Sequence, residues 1–93
     1  MLIYVTGGPR PGRFMDLSDD DWVRASELLM LSAVRCARHA AELMTQGGRI
    51  IFSASTAIKE PIEDLVLSDV VRISIAGLVR TLSKELGRKG ILV

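Results

Sequence analysis

Short apolar runs alternate with long helical patterns along the chain, and this alternation constrains the fold more than any other feature. The apolar runs lie at residues 2–6, 49–55 and 91–93, and the helical patterns lie at about 19–46 and 66–86. A strand, a helix and a further strand in this order give parallel strands joined by right-handed crossovers. Because the first run is apolar or aromatic at successive positions, it predicts a strand covered on both faces. We therefore expect one partial α/β domain over residues 1–93, with no internal boundary.

The first helical pattern has clear boundaries and an unusually broad apolar surface. Ser18 is a good N-cap residue, and Asp21 completes an acidic first turn, where the helix dipole favours negative charge. Gly47-Gly48 follows the last predicted helical residue, Gln46, as glycine often does just past a helix end. Leu31 interrupts the polar stripe. The pattern therefore predicts burial against the sheet and against a second surface.

The second helical pattern begins between Leu65 and Asp69 and ends near Leu86. Ser68 is a possible N-cap within that interval. The mid-helix pair Ala76-Gly77 costs about 1 kcal/mol in helix propensity. Close packing against a neighbouring helix would explain this cost, so we expect such a contact there.

Composition and charge exclude several classes of function. Twelve basic and eleven acidic residues leave a net charge of +1, with no basic block of the kind that binds nucleic acid. No apolar run approaches the roughly 20 residues of a membrane span, and the N-terminus lacks the basic start of a secretory signal. The single cysteine, Cys36, excludes an internal disulfide. We expect a cytoplasmic protein with no nucleic-acid or membrane partner.

Several side chains that are often functional have simpler interpretations here. His39 lies on the polar side of the first helix and is interpreted as solvated, whereas Cys36 is interpreted as a core or interface thiol. Trp22 is expected to be a packing anchor. The acids Asp19–Asp21 belong to the helix start, because consecutive helical residues point in different directions and are poorly placed to share a metal. The sequence predicts no metal site.

The loop after the first strand has the glycine spacing of a phosphate-binding loop, at Gly7 and Gly12. Arg13-Phe14 stands where that motif needs a lysine and a hydroxyl residue for magnesium, and two prolines remove backbone N–H groups that would hold phosphate. A rigid surface loop is therefore the favoured interpretation. A small nucleotide-binding protein that uses this loop is the alternative ranked last.

Three segments in this order resemble one known family. They read DLSDDDW, GGRIIFSAS and AGLVRTLSKELGRKGILV. The chain resembles, over essentially its whole length, the middle of a short-chain dehydrogenase/reductase, nearest to the 3-oxoacyl-carrier-protein reductase-like branch. The resemblance implies a partial Rossmann-type parallel sheet, corresponding to the fourth to sixth of seven strands with both intervening helices. It also implies NAD(P)-linked redox of carbonyls and alcohols.

The resemblance implies roles for two residues of this chain. Gly7 matches the glycine that lies beside the cofactor, NAD or NADP, although the asparagines that normally precede it are replaced here. Ser55 matches the serine that hydrogen-bonds the substrate carbonyl, and Ser53 would replace it if the strand register slipped by two residues.

The other catalytic positions of the family are not matched. Leu29 stands at the asparagine, and anchoring on Ala76-Gly77 places Val71 at the tyrosine and Ile75 at the lysine, with an interval from Ser55 a few residues longer than the family pattern. Valine and isoleucine cannot hold or polarise a proton. The family's glycine-rich cofactor loop precedes the fourth strand and is not among these residues. We therefore expect redox activity and cofactor binding to be weak or absent in this chain.

A non-catalytic homo-oligomerisation module is the alternative function. The family builds a four-helix interface between subunits from the two helices matched here, at about 19–46 and 66–86. Both are apolar over more than one face. A homodimer or homotetramer through these helices is therefore expected.

Overall fold

The computed structural model describes residues 1–54 and 62–93. The first half contains strand β1, a short 3-10 helix, helix α1, a π-helical turn and helix α2, at Leu2–Tyr4, Phe14–Asp16, Asp19–Ser26, Glu27–Leu31 and Ser32–Leu43 respectively. The second half contains strand β2 and helices α3 and α4, at Ile50–Phe52, Val66–Val71 and Ile73–Gly87.

The two strands form a parallel pair, which confirms the predicted α/β class. β1 and β2 run in register from Leu2 opposite Ile50 to Tyr4 opposite Phe52. The last apolar run joins the other side of β2 through one parallel bridge between Arg49 and Leu92. The backbone N–H of Ile50 donates to the Leu92 carbonyl at 2.8 Å. The third predicted strand therefore contributes a single bridge pair beside β2.

Helices α2 and α4 cover the same face of this small sheet, and no other described element covers the opposite face. Tyr4, Ile50 and Ile91 are buried against side chains of α2 and α4. On the opposite face the apolar side chains are half exposed or more, at 61% for Ile3 and 50% for its register partner Ile51. The prediction that the first strand is covered on both faces is therefore wrong for residues 1–54 and 62–93, whose helices lie on one side of the sheet.

The core consists of three groups of buried residues along the helix–sheet junction. Helix α1 and the π-helical turn after it meet α3 through Ala25, Leu29, Leu67 and Val71, all at most 7% exposed. Tyr4 packs between Ala33 of α2 and Ile75 of α4. The end of the sheet is closed by Ile50, Leu86 and Ile91. Fully burying an aliphatic side chain such as Leu29 contributes about 1.5–3 kcal/mol.

The start of the first helix is as predicted, and its end is not. Ser18 Oγ accepts a hydrogen bond from the Asp21 N–H at 3.2 Å, while the Asp21 carboxylate accepts one from the Ser18 N–H at 2.9 Å. The helix ends at Leu43 rather than Gln46, because Met44 adopts extended backbone and packs against the cluster around Ile50.

A π-helical turn interrupts this helix at Glu27–Leu31. Such turns leave backbone carbonyls without their usual helical partners and are frequent at functional sites. Here two backbone carbonyls of the turn accept hydrogen bonds from side-chain hydroxyl groups. The Tyr4 hydroxyl donates to the Leu28 carbonyl at 2.9 Å, and the Ser32 hydroxyl donates to the Glu27 carbonyl at 2.6 Å.

The second helix, which comprises α3 and α4, departs from its prediction in three ways. It is divided at Arg72, which ends α3 and precedes α4. Its N-cap position is Leu65, so Ser68 lies inside α3 rather than at its start. Gly77 is exposed, and a side chain built on it meets no atom within 4 Å, so the close helix contact expected there is absent within the described residues of this chain. None of the described helices is both long and apolar enough to cross a membrane.

Candidate functional site

A pocket of about 360 Å³ lies where the two strands end. Thr6 follows β1, and Ser53 follows β2, so the pocket is at the carboxyl edge of the sheet. Ligands of open parallel α/β sheets bind outside this edge. The described residues that line the pocket are Thr6, Gly8, Pro9, Ser53, Ala54, Leu65, Ser68 and Arg72.

Ser68 and Arg72 form a hydrogen-bonded pair in this pocket. Both lie on one face of the second helix because they are four residues apart. The Nε of Arg72 donates to Ser68 Oγ at 2.8 Å, and its Nη2 donates to the Gly7 carbonyl at 3.4 Å. Because Ser68 Oγ accepts from the guanidinium, its own hydrogen remains available for a donor bond into the pocket.

Arg72 is the only charged residue among the described residues of the pocket wall. The three ion pairs of residues 1–54 and 62–93 lie elsewhere, at Arg10–Asp21, Arg13–Asp64 and Arg24–Asp20. Both carboxylate oxygens of nearby Asp69 accept the backbone N–H of Ile62, at 3.0 and 3.1 Å. The described part of the pocket is therefore positive and rich in hydrogen-bond donors.

The sequence-predicted site residues have different positions relative to this pocket. Gly7 lies at its edge with its carbonyl toward Arg72, and the space beside it is open, since an added side chain would meet nothing within 4 Å. Ser53, the alternative to Ser55, lines the pocket. Ser55 itself falls outside the described residues.

The residues matched to the lost catalytic positions lie in the core instead. Leu29, Val71 and Ile75 are 1%, 7% and 5% exposed, and none of them lines the pocket. Tyr4, the only tyrosine, is 9% exposed, and its hydroxyl is engaged by the Leu28 carbonyl. In this arrangement Tyr4 contributes to packing and is not positioned to protonate a ligand in the pocket.

Sequence reasoning missed Ser68 and Arg72 as functional residues. Ser68 was expected only as a helix cap, and Arg72 reads as one polar residue of an amphipathic helix. The available signal was their spacing of four residues, which places a hydroxyl and a cation on one helical face. Aligning the family's motif on Ala76-Gly77 instead places its tyrosine at Val71 and its lysine at Ile75, three residues later, and both of these face the core.

The glycine loop has its ends fixed by contacts within the chain. The Gly12 N–H donates to the Asp64 carbonyl at 2.8 Å, and Arg13 forms an ion pair with the Asp64 carboxylate at 2.9 Å. Arg10 pairs with Asp21 of α1 at 2.9 Å. Because the Gly12 N–H is already used, this geometry favours the rigid surface loop over a phosphate-binding loop.

A larger pocket of about 600 Å³ lies at the opposite, amino end of β1, and its wall is mostly apolar. Its wall includes Met1, Cys36 and His39. His39 is exposed, as expected for a solvated side chain. Cys36 is also exposed, so the core alternative for this thiol is wrong, and the interface alternative stays a prediction. This pocket lies away from the carboxyl edge of the sheet, and we therefore place the candidate site at Ser68 and Arg72.

The comparisons with known proteins agree on one family. A family model described as enoyl-(acyl carrier protein) reductase matches residues 1–93. The enoyl-(acyl-carrier-protein) reductase (NADH) FabI of Bacillus cereus is 29% identical over 82 residues, which cover 88% of this chain and 32% of that protein.

Solved structures give the same result for the fold. Acetoin dehydrogenase from Enterobacter cloacae matches with a TM-score of 0.92 and 25% identity, over 99% of this chain and 38% of that one. L-sorbose reductase from Gluconobacter frateurii, solved with NADPH and L-sorbose, matches with a TM-score of 0.91 and 27% identity, over 97% of this chain and 35% of that one. The chain thus spans roughly a third of the length of these proteins.

Proposed function

Because this chain belongs to the short-chain dehydrogenase/reductase family, we propose that it contributes the substrate edge of an NAD(P)-linked oxidoreductase site for a carbonyl or an alcohol. We also propose that the 93 residues by themselves have weak or no redox activity. The observation that carries the first part is the polar pocket at the carboxyl ends of β1 and β2, with Ser53, Ser68 and Arg72 in its wall. Gly7, at the open edge of this pocket, is the proposed neighbour of the cofactor.

Ser68 and Arg72 are the residues that we propose for the tyrosine and lysine positions of the family. They keep the spacing of four residues that separates that tyrosine from that lysine. They also lie three residues earlier than Val71 and Ile75, which shortens the overlong interval from Ser55. In addition, they line the pocket, whereas Val71 and Ile75 are buried in the core.

This substitution changes what the site can do chemically. Reduction of a carbonyl needs a proton donor at the developing alkoxide, and a serine hydroxyl is a far weaker acid than a phenol. Arginine stays protonated under all ordinary conditions and supplies charge and hydrogen bonds rather than a proton. The pair therefore supports binding of a ligand oxygen better than proton transfer to it.

The bare face of the sheet is a second reason to expect little activity from these residues alone. Ile3, Ile51 and Leu92 expose apolar side chains on neighbouring strands of one face. Parallel sheets of this class are normally covered on both faces. A complete redox site therefore needs further structure beside the part described here, and the relatives are about three times as long as the match.

A turnover assay tests this proposal. The chain is incubated with NADH or NADPH and a panel of small ketones and enoyl thioesters, and oxidation of the cofactor is followed by absorbance. We expect no rate above the protein-free blank. A substrate-dependent rate would contradict the proposed inactivity, and loss of that rate in Ser68→Ala or Arg72→Gln would still place the reaction in this pocket.

The second candidate is a homo-oligomerisation module, and the exposed apolar residues of the helices support it. Val70 and Ile73, neighbours on the second helix, are 52% and 53% exposed. Val23 of α1 is 56% exposed. Removing such groups from water would favour association by about 25 cal/mol for each Å² of apolar surface that is buried.

A further inference from the structure

We infer that Ser68 and Arg72 form a binding site for an anionic oxygen group, a carboxylate or a phosphate, on the ligand that enters this pocket. The inference deepens the proposed function and rests on it for the location of the ligand. It names a chemical class that a tyrosine–lysine pair built for proton transfer would not require. The supporting observations are the orientation of the guanidinium, its surroundings and the neighbouring hydroxyl groups.

The guanidinium is held in place and still has donors to offer. Arginine has five N–H donors, of which the described contacts use two, one to Ser68 and one to Gly7, leaving three. The 2.8 Å hydrogen bond from Nε to Ser68 Oγ and the 3.4 Å hydrogen bond from Nη2 to the Gly7 carbonyl together orient the plane of the guanidinium. A planar donor group held in this way suits the two oxygens of a carboxylate or of a phosphate.

Arg72 forms no ion pair within the described residues, and the carboxylate of nearby Asp69 accepts the Ile62 N–H instead. The hydrogen-bond partners of Arg72 in this part of the chain are a hydroxyl and a carbonyl, both neutral. The residue is only partly exposed, so water does not surround its charge completely. A partly buried cation of this kind is stabilised when it pairs with an anion.

The hydroxyl groups of the pocket add donors near the guanidinium. Ser68 Oγ already accepts from Arg72, so its own hydrogen is available for donation to a ligand oxygen. Ser53 and Thr6 place two more hydroxyl groups in the same wall. Gly8 lies beside the guanidinium, since a Cβ built on it would be 3.9 Å from Arg72 Nη2. Because glycine has no side chain, that space beside Arg72 is left open. This set of donors is complementary to an oxyanion and unfavourable for a metal cation.

NMR on the 15N-labelled chain tests the site, with the backbone amides of the pocket residues Thr6, Ser53 and Ser68 as reporters in every variant and the Arg72 Nε–H as a further reporter in the wild type. Sodium phosphate, sodium acetate and the neutral acetamide are titrated separately at constant ionic strength. We expect saturable shifts with phosphate, acetate or both, and none with acetamide. Arg72→Gln should weaken anion binding about tenfold or more, as loss of a charge-assisted hydrogen bond predicts. Arg80→Gln, the same charge change at an exposed position of α4, should leave it unaltered.

The outcomes separate this inference from the proposed function. Saturation by phosphate alone or by acetate alone supports the site and names the source of the anion. A wild-type titration that does not saturate, or an equal response to acetamide, overturns the inference even if Arg72→Gln fails to fold. Equal loss of binding in Arg80→Gln and Arg72→Gln overturns it as well. Substrate-dependent oxidation of NADH or NADPH without anion binding at Arg72 would retain the redox site and reject the anion site.

Discussion

The side chains of Ser68 and Arg72 share one pocket because one helical turn separates them and the arginine Nε donates to the serine Oγ at 2.8 Å. The apolar residues Val71 and Ile75 turn toward the core in the same helix. The helix thus presents a polar pair to the carboxyl edge of the sheet and an apolar row to the interior. This relationship supports our proposal that Ser68 and Arg72 stand at the family's tyrosine and lysine positions, three residues before Val71 and Ile75.

Replacing Leu29 tests whether the family's asparagine position has become part of the core. Leu29 is 1% exposed between α1 and α3, so Leu29→Asn buries an amide without its hydrogen bonds and leaves a cavity. We expect the free energy of unfolding in urea to fall by about 2–5 kcal/mol. Leu28→Asn is the matched control, because Leu28 is 36% exposed and should lose much less. Equal losses in the two variants would contradict the placement of Leu29 in the core.

Removing the Tyr4 hydroxyl tests its structural assignment. Tyr4→Phe deletes the hydrogen bond to the Leu28 carbonyl in the π-helical turn and keeps the ring contact with Phe52. We expect a loss of about 0.5–1.5 kcal/mol in the free energy of unfolding. Anion binding at Arg72, measured by NMR, should be unchanged. A loss of binding without a loss of stability would instead place the tyrosine hydroxyl in the site.

The pH dependence of stability should reflect the capping box at the start of α1. The hydrogen bond from the Ser18 N–H is the largest cause that holds the pKa of Asp21 below its ordinary value of 3.8; the Ser18 hydroxyl and then Arg10 lower it further, while burial opposes the shift. Because the folded pKa is the lower one, the stabilisation is fully present above pH 3.8 and is lost as the pH falls through the folded value. Asp21→Asn should therefore flatten the acid limb of a plot of unfolding free energy against pH. Superimposable acid limbs would contradict this assignment.

A charge on the exposed apolar surface of the second helix tests the oligomerisation alternative. If copies of the chain associate through this surface, Ile73→Glu should shift the molar mass measured by light scattering toward the monomer, because a carboxylate would be buried at the contact. Thr45→Glu adds the same charge at an exposed position beyond the end of α2 and should have no such effect. If light scattering on the wild type at micromolar concentration gives the monomer mass of 10.2 kDa, the oligomerisation alternative is rejected.

Local patterns in the sequence predict much of this fold. The apolar runs and their spacing predict the parallel strands, and Ser18 with Asp21 predicts the first helix start to the residue. These features depend on hydrogen bonds and periodicity within a few residues. Long-range packing decides the features that were missed. The helix ends at Leu43 because Met44 turns toward Ile50, and no local signal marks that contact.

The candidate site was only partly predictable for the same reason. Gly7 and Ser53 follow apolar strands, so their place at the carboxyl edge follows from the strand pattern. Ser68 and Arg72 reach the edge only because of how the second helix is rotated about its axis. That rotation is set by Leu67, Val71 and Ile75 in the core. Aligning the family's motif on Ala76-Gly77 therefore selects the core residues Val71 and Ile75 instead of the pocket residues Ser68 and Arg72.

We propose that this chain has the fold of the family's substrate edge but does not bind NADH or NADPH effectively by itself. Titration of the purified 93-residue chain with NADH and with NADPH, followed by nicotinamide fluorescence and calorimetry, tests it most directly. We expect no saturable binding of either dinucleotide at micromolar concentration. Micromolar binding of either one, weakened by replacing Gly7 with a bulky residue, would contradict it.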